Sequence, residues 1–349
     1  MKSMRIGWRT TSLLLMALVG NASALQEEAP GEPWVVYEGG EGPGRGKHVV
    51  LVAGDEEYRS EEALPMLARI LAVRHGFRCT MLWSVDEEGT IDPNDRARIP
   101  GLESLATADM LVLFTRFRRL SDEDMRHVVD YVERGGPILG IRTATHAFNY
   151  EKESESPYAR WSFNAKEWPG GFGKQVLGET WVSHHGRHGS ESTRGVIVPE
   201  AREHPILRGV EDVWGPTDVY GIRDLPPDAT VLIEGAVLAG MEPDAKPVEG
   251  EKNDPRMPIV WIRERALESG KAQRVICSTI GASMDLKSAH LRRVFVNACY
   301  WGAGLEEEIP DESDVDYVGD YAPTMFGFGG FRPGVRPADH ALPTASAED

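Results

Sequence analysis

The chain has 349 residues, 41% of them hydrophobic and 27% charged, a globular composition with enough length for one large domain plus extensions. Its 55 acidic and 38 basic side chains leave a formal net charge of −17, which repels phosphate backbones and anionic lipid. Nucleic acid and membrane surfaces are therefore set aside as partners, and a neutral small molecule such as a carbohydrate fits better. The three cysteines, Cys79, Cys277 and Cys299, are too few and too scattered for a disulfide framework, a CxxC redox motif or a thiolate zinc site; buried thiols are expected, with a Cys277–Cys299 bridge as the open alternative.

Residues 1–24 read as a cleaved secretory signal. Lys2, Arg5 and Arg9 precede the apolar run LLLMALVG, which is too short to span a bilayer, and Ala22-Ser23-Ala24 offers a small-x-small cleavage site. The mature chain would start near Leu25, be exported to the periplasm or the exterior without membrane insertion, and carry a net charge of −20 once those three bases are gone. A polar, Gly-rich leader (25–46) comes next. Then KHVVLVAG (47–54) predicts a strand, and SEEALPMLARILAVRHG (60–76) a helix opened by Ser60 and its acids and stopped by Gly76. Pro65 must lie in the first turn of that helix or kink it. FRCTMLWSV (77–85) and DMLVLFTR (109–116) predict two more strands, separated by a short helix around GLESLATA. In SDEDMRHVVDYVERGG, Ser121 and Asp124 form a capping-box-like start, Met125, Val128, Val129 and Val132 recur at helical spacing, and Gly135 ends the run. PILGIRTA (137–144) is the next strand; RGVIVP, ATVLIEGAV, PIVWIRE and RVICSTIG are later strands, before a last amphipathic helix in HLRRVFVNACYWGAG. Residues 306–349 form a tail, acidic and then Gly/Pro-rich, expected to run extended and pack along the body through its aromatics, with the last few residues disordered. Alternating β and α with nearly continuous apolar strands predicts an α/β domain over 47–305, a doubly wound, mostly parallel sheet of flavodoxin-like arrangement.

Ligands of such sheets collect beyond the carboxyl ends of the strands. The residues after each strand are polar: Asp55-Glu56-Glu57-Tyr58-Arg59, Thr115-Arg116-Phe117-Arg118, Arg142-Thr143-Ala144-Thr145-His146 and Gly281-Ala282-Ser283. From these and from GPTDVY, the candidates for holding a substrate are Asp55, Glu56, Arg116, Thr143, Asp218 and Ser283. Asp218 and Asp55 together offer a carboxylate pair for glycoside hydrolysis. The loop ETWVSHHGRHGSEST (179–193) packs His184, His185 and His188 into five positions. With His146 at a strand end, it suggests a divalent transition-metal site such as zinc on His184, His185 and His188, metal-free acid–base catalysis by an imidazole, or a plain polar loop. Glu179 or an acid from Asp55–Glu57 could orient a ligand. Trp161, Trp168 and Trp181 bracket PGGFG and could stack on a sugar ring or lie in the core.

The segment GIRTATHAF resembles the strand-to-helix elbow of the class I glutamine amidotransferase-like fold, where a nucleophilic cysteine stands after Gly-Ile. Arg142 occupies that position here, which removes thiol chemistry; its guanidinium would hold a carboxylate or a sugar oxygen, or pair with Asp55 or Glu56. In order and spacing, GIRTATHAF, LGETWVSHHG, EHPILRGV, GPTDVY, RVICSTIGAS and LRRVFVNACYWGAGL resemble the ThuA-like family, named for trehalose utilisation, over about residues 46–305. GDEEYRSEEALP and the tail from FGFGG to His340 look like an exported subgroup of it. The resemblance implies an amidotransferase-like α/β fold and a link to carbohydrate metabolism. Many members carry a His where this chain has Arg142 and an Asp near where it has His146. Two functions are expected. One is a hydrolase, lyase or isomerase acting on a glycoside or keto-sugar through His146, His184, His185 and Arg142; the other is a non-catalytic carbohydrate-binding or scaffold protein that kept the crevice.

Overall fold

The computed structural model describes residues 32–343. The signal segment read at 1–24, the beginning of the leader and the last residues of the tail lie outside the described residues. In chain order the elements are β1 (Trp34–Tyr37), β2 (His48–Gly54), α1 (Ser60–His75), β3 (Arg78–Trp83), β4 (Met110–Thr115), α2 (Asp122–Glu133), β5 (Ile138–Ile141), β6 (Ser192–Ile197), β7 (Trp214–Gly215), β8 (Ala229–Leu238), β9 (Met257–Ala266), β10 (Ala272–Ser278) and α3 (Ala289–Gly302), with short 3-10 turns between them. Local chemistry accounts for the helices. Ser121 Oγ accepts from the Asp124 amide at 3.1 Å and caps α2, and Gly76, at φ 80°, closes α1. Pro65 sits inside α1, past its first turn. The Glu61 carbonyl that its missing N–H leaves free accepts instead from Trp83 Nε1 at 3.4 Å.

The ten strands make one mixed sheet in the order β1-β3-β2-β4-β5-β10-β9-β8-β6-β7. The ladders from β3 through β2, β4 and β5 to β10 are parallel; those of β1 with β3, and from β10 through β9 and β8 to β6 and β7, are antiparallel. The expectation of a mostly parallel sheet is thus corrected. Continuous apolar runs such as PIVWI report burial on both faces and carry no information about the neighbour's direction. The direction is set by connections: β9 and β10 are joined through residues 267–271, where the Leu267 amide donates to Lys271 O, and so short a link cannot make a parallel crossover.

Successive residues of β2 serve opposite cores. Val49, Leu51 and Ala53 pack with α1 and α3, while Val50 and Val52 pack on the side of α2. The helix α3 is buried on nearly all sides, beyond the single stripe that its spacing predicts, because the tail wraps it: Arg292 Nε donates to Val315 O and Ser313 Oγ to Asn297 Oδ1. The leader contributes β1, an edge strand against β3. All three cysteines are buried free thiols. Among the described residues no helix is long and apolar enough to cross a membrane.

Candidate functional site

Three non-glycine residues have left-handed backbone among the described residues: Arg59 (φ 61°), Phe117 (φ 53°) and Arg142 (φ 47°). Each lies just beyond the carboxyl end of a parallel strand, β2, β4 and β5 respectively. A non-glycine residue in this region costs of order 1–3 kcal/mol, so three at one rim of the sheet mark where the fold tolerates strain for the sake of geometry. Arg142 opens the 3-10 turn Arg142–His146 and is fully buried. Its guanidinium lies between two rings, 4.3 Å from the centroid of Tyr58 and 4.1 Å from that of Tyr220. It donates to Thr279 O (2.6 Å), to Asp218 O (2.9 Å) and to Asp218 Oδ1 (3.0 Å). Its acidic partner is therefore Asp218; the expected pairing with Asp55 or Glu56 is not made.

Asp218, buried, is the hub of the site. His184 Nδ1 lies 2.7 Å from its Oδ2 and His188 Nδ1 lies 3.4 Å from its Oδ1. Burial pushes the Asp218 carboxyl up, but the hydrogen bonds from His184 and His188 and the charge of Arg142 outweigh it and hold the group well below the usual carboxylate range. The histidine loop reaches Asp218 through main-chain pairing. His184 bridges Tyr220 in antiparallel fashion, the Gly221 amide donates to Ser183 O, and the His185 and Gly186 amides donate to Val219 O. Side chains alternate along an extended segment, so His184 faces Asp218 and His185 faces away, where its Nε2 meets Lys252 O at 2.8 Å. The ligating atoms that His184, His188 and Asp218 can offer all lie within 4.8 Å of one another; His185 is not part of that group.

Around this hub, His188 Nε2 stands 3.6 Å from Glu57 Oε1, a buried oxygen with no hydrogen-bond partner among the described residues. Burial raises the Glu57 carboxyl, and Arg116, 3.5 Å away, opposes the rise. Arg116 also pairs with Glu56 and lies over the rings of Phe117 and Phe328. His146 is buried beside Trp181, Phe117 and Tyr220; burial, with the positive charges of Arg116 and Arg142, holds it well below the ordinary imidazole value, so it is neutral. His188 is the opposite case, raised chiefly by its hydrogen bond to Asp218. In chelator-treated protein, ring NMR titration should show a His188 midpoint above ~6.5 and no protonation of His146 near neutrality. In Asp218→Asn the His188 midpoint should fall back; an unchanged midpoint would contradict the pairing.

The sequence model of the family described as trehalose utilisation, ThuA, matches residues 48–302, well over half of the chain. The chain belongs to the ThuA family. No curated protein sequence gives a match. Among solved structures, a protein described as ThuA-like from Bacteroides uniformis is 16% identical, with 76% of this chain and 95% of that one covered at a TM-score of 0.48. Another described in the same way, from Parabacteroides merdae, is 14% identical, covers 81% of this chain and 95% of its own, and scores 0.47.

The remaining candidates of this ThuA-family chain divide by what already satisfies them. Asp55 is fully buried; its Oδ1 accepts from the Glu57 and Tyr58 amides and its Oδ2 from Thr143 Oγ1, so Asp55 and Thr143 brace the strand-end loop. Full burial and these three bonds commit Asp55 to the loop, a different task from the carboxylate pair with Asp218 over a glycosidic bond. Ser283 Oγ donates to Thr324 O and holds the tail, and Glu179 accepts from the Arg223 and Asp224 amides, away from the histidines. Trp161 and Trp168 pack against each other, Trp161 in the core against Phe172, whereas Trp181 faces His146 and His184. The expectations from sequence leave out Tyr220 and Asp285 and give Tyr58 no role beyond its place at a strand end; Phe326 and Phe328 belong to a tail expected to pack along the body through its aromatics, with no place in the site. Tyr220 stands two residues from Asp218 in an extended stretch, and period-two spacing would have put both on one side. Asp285 ties the loop after β10 to Thr217 through four hydrogen bonds to its carboxylate oxygens, and no local pattern announces it.

Proposed function

We propose that this ThuA-family chain is an exported carbohydrate-processing enzyme of hydrolase, lyase or isomerase type, with no glutamine amidotransferase activity, acting on a glycoside or keto-sugar at His184. The observation that carries this reading is the 2.7 Å contact of His184 Nδ1 with the buried, Arg142-anchored carboxylate of Asp218. A carboxylate only accepts, so Nδ1 keeps its proton, the ring is held in place, and Nε2 of the neutral ring is the basic atom. On a keto-sugar, Nε2 takes the proton from a carbon beside the carbonyl and the electron pair moves to the carbonyl oxygen. The oxyanion then develops in the field of Arg116. Return of the proton to the former carbonyl carbon, with the hydroxyl proton of the adjacent carbon passing to the oxyanion as that carbon becomes the carbonyl, gives an isomer. Loss of an oxygen leaving group from the β-carbon, as the oxyanion re-forms the carbonyl, gives elimination. We also infer that the parallel half of the sheet is the doubly wound, amidotransferase-like scaffold. Arg142, left-handed directly after β5, would then occupy the elbow of the lost nucleophile.

The grouping of His184, His188 and Asp218, with the unpaired Glu57 Oε1 beside them, favours a second reading in which the same residues hold a divalent transition metal such as zinc. Two measurements decide between the readings: elemental mass spectrometry on wild type and on His184→Ala/His188→Ala, and turnover of glycosides and keto-sugars with and without chelator. Chelator-insensitive turnover by metal-free protein supports acid–base catalysis. About one equivalent of metal, lost in the double variant, supports the metal centre. Saturable sugar binding without product overturns the enzyme and leaves a binding protein.

A further inference from the structure

We propose that the tail segment 323–330 is a built wall of this crevice and that Phe328 is its platform for the ring of a sugar; the proposal rests on the carbohydrate reading above. The segment lies outside residues 48–302, so it is added to what the family match covers. It is fastened at the site from both sides. The Gly327 amide donates to Glu57 O at 2.8 Å, and Arg59, in its left-handed conformation, donates to Thr324 Oγ1, Gly327 O and Gly330 O. Thr324 donates from its amide and its hydroxyl to the two oxygens of Glu62 at 2.7 and 2.8 Å. Phe326 is the anchor, buried with its ring 5.5 Å from those of Tyr58 and His188.

Two residues on, flanked by glycines, Phe328 is 65% exposed, the most open of the large hydrophobic side chains among the described residues. Its ring is 6.0 Å from that of His188 and 5.2 Å from the Arg116 guanidinium. A solvated phenyl held by a network of hydrogen bonds beside two basic groups is more than a stray surface apolar residue. The rings of Phe328, His188, His184 and Trp181 succeed one another at 6.0, 5.0 and 5.9 Å, so aromatic faces bracket the two imidazoles. That arrangement fits a pyranose: the C–H face lies on an aromatic ring, and the hydroxyls turn to Arg116, Glu57 and the histidines.

The test is calorimetric binding of methyl glucoside and trehalose, with their keto derivatives, to full-length wild type, Phe328→Ala, Phe328→Trp and Met325→Ala, and then steady-state kinetics on any sugar turned over. Phe328→Ala should bind about tenfold more weakly and raise KM with kcat unchanged. Phe328→Trp should keep or tighten binding, and Met325→Ala, also exposed but assigned no contact, should stay within about twofold. Sugar binding by wild type with equal affinity in Phe328→Ala overturns the platform and leaves the crevice assignment standing. No binding of any of these sugars by wild type overturns the carbohydrate reading itself, and the platform with it.

Discussion

Asp218→Ala is expected to lower folding stability by about 3–5 kcal/mol in urea unfolding, because it removes the carboxylate that directly pairs with the buried Arg142 guanidinium. The Tyr58 and Tyr220 rings and the Thr279 carbonyl stay in place without formal negative charge, and the buried Asp285 carboxyl acts on Arg142 without bonding to it. If the loss comes from the stranded cation, then Arg142→Met/Asp218→Leu should be markedly more stable than the two single losses predict, since the double variant buries neither member of the pair. A penalty below about 1 kcal/mol for Asp218→Ala, or simple additivity in the double variant, would show that the pair does not hold the rim together. The pH dependence has a definite sign. Asp218 is depressed in the folded state, so its contribution is present above the unfolded carboxyl value of about 3.9 and is lost as pH falls from there toward the folded value. Acid unfolding of wild type should therefore steepen below about pH 4, and Asp218→Ala should lack that component.

His184→Ala should reduce kcat by about 10²–10⁴-fold while the circular dichroism and unfolding midpoint stay close to wild type. The side chain is 31% exposed, so truncating it opens no cavity in the core, and its catalytic value lies in the Asp218-held ring. The informative companion is His185→Ala. The two histidines are adjacent and chemically identical, yet His185 Nε2 is occupied by Lys252 O on the far side of the strand-like bridge. Its loss should change kcat no more than a few fold. Equal loss of turnover in both variants would overturn the assignment of His184 as the proton-transfer residue, since a loop that merely needs its shape would respond to either change.

The contrast between these neighbours shows how far the sequence carries. Local signals placed the elements: the Ser121 cap and the i, i+3, i+4, i+7 repeat of α2, the Gly76 stop of α1, and the apolar runs of β2, β4, β5 and β10 all act within one or two turns of chain, so they are readable without tertiary information. From the strands came the strand-end residues, and among them were Arg142, Arg116, Glu57, Tyr58 and His146, because a carboxyl end of a parallel strand is a fixed place in the fold. The histidine loop was equally visible as composition.

Strand direction, pairing and partner choice were decided only by the tertiary structure. Burial patterns say which faces are covered, and β9 and β10 could be read as parallel until the short link between them fixed them antiparallel. Which of His184 and His185 enters the site depends on a bridge to Tyr220, and the acid they compete for, Asp218, also closes on Arg142 from 76 residues away. Phe328 reaches His188 across 140 positions by a tail whose described residues contribute no strand to the sheet. Short-range propensity is a property of neighbouring residues and survives in the sequence. The geometry of a charge cluster is a property of which distant segments share a buried space, and that is settled when the chain closes its sheet.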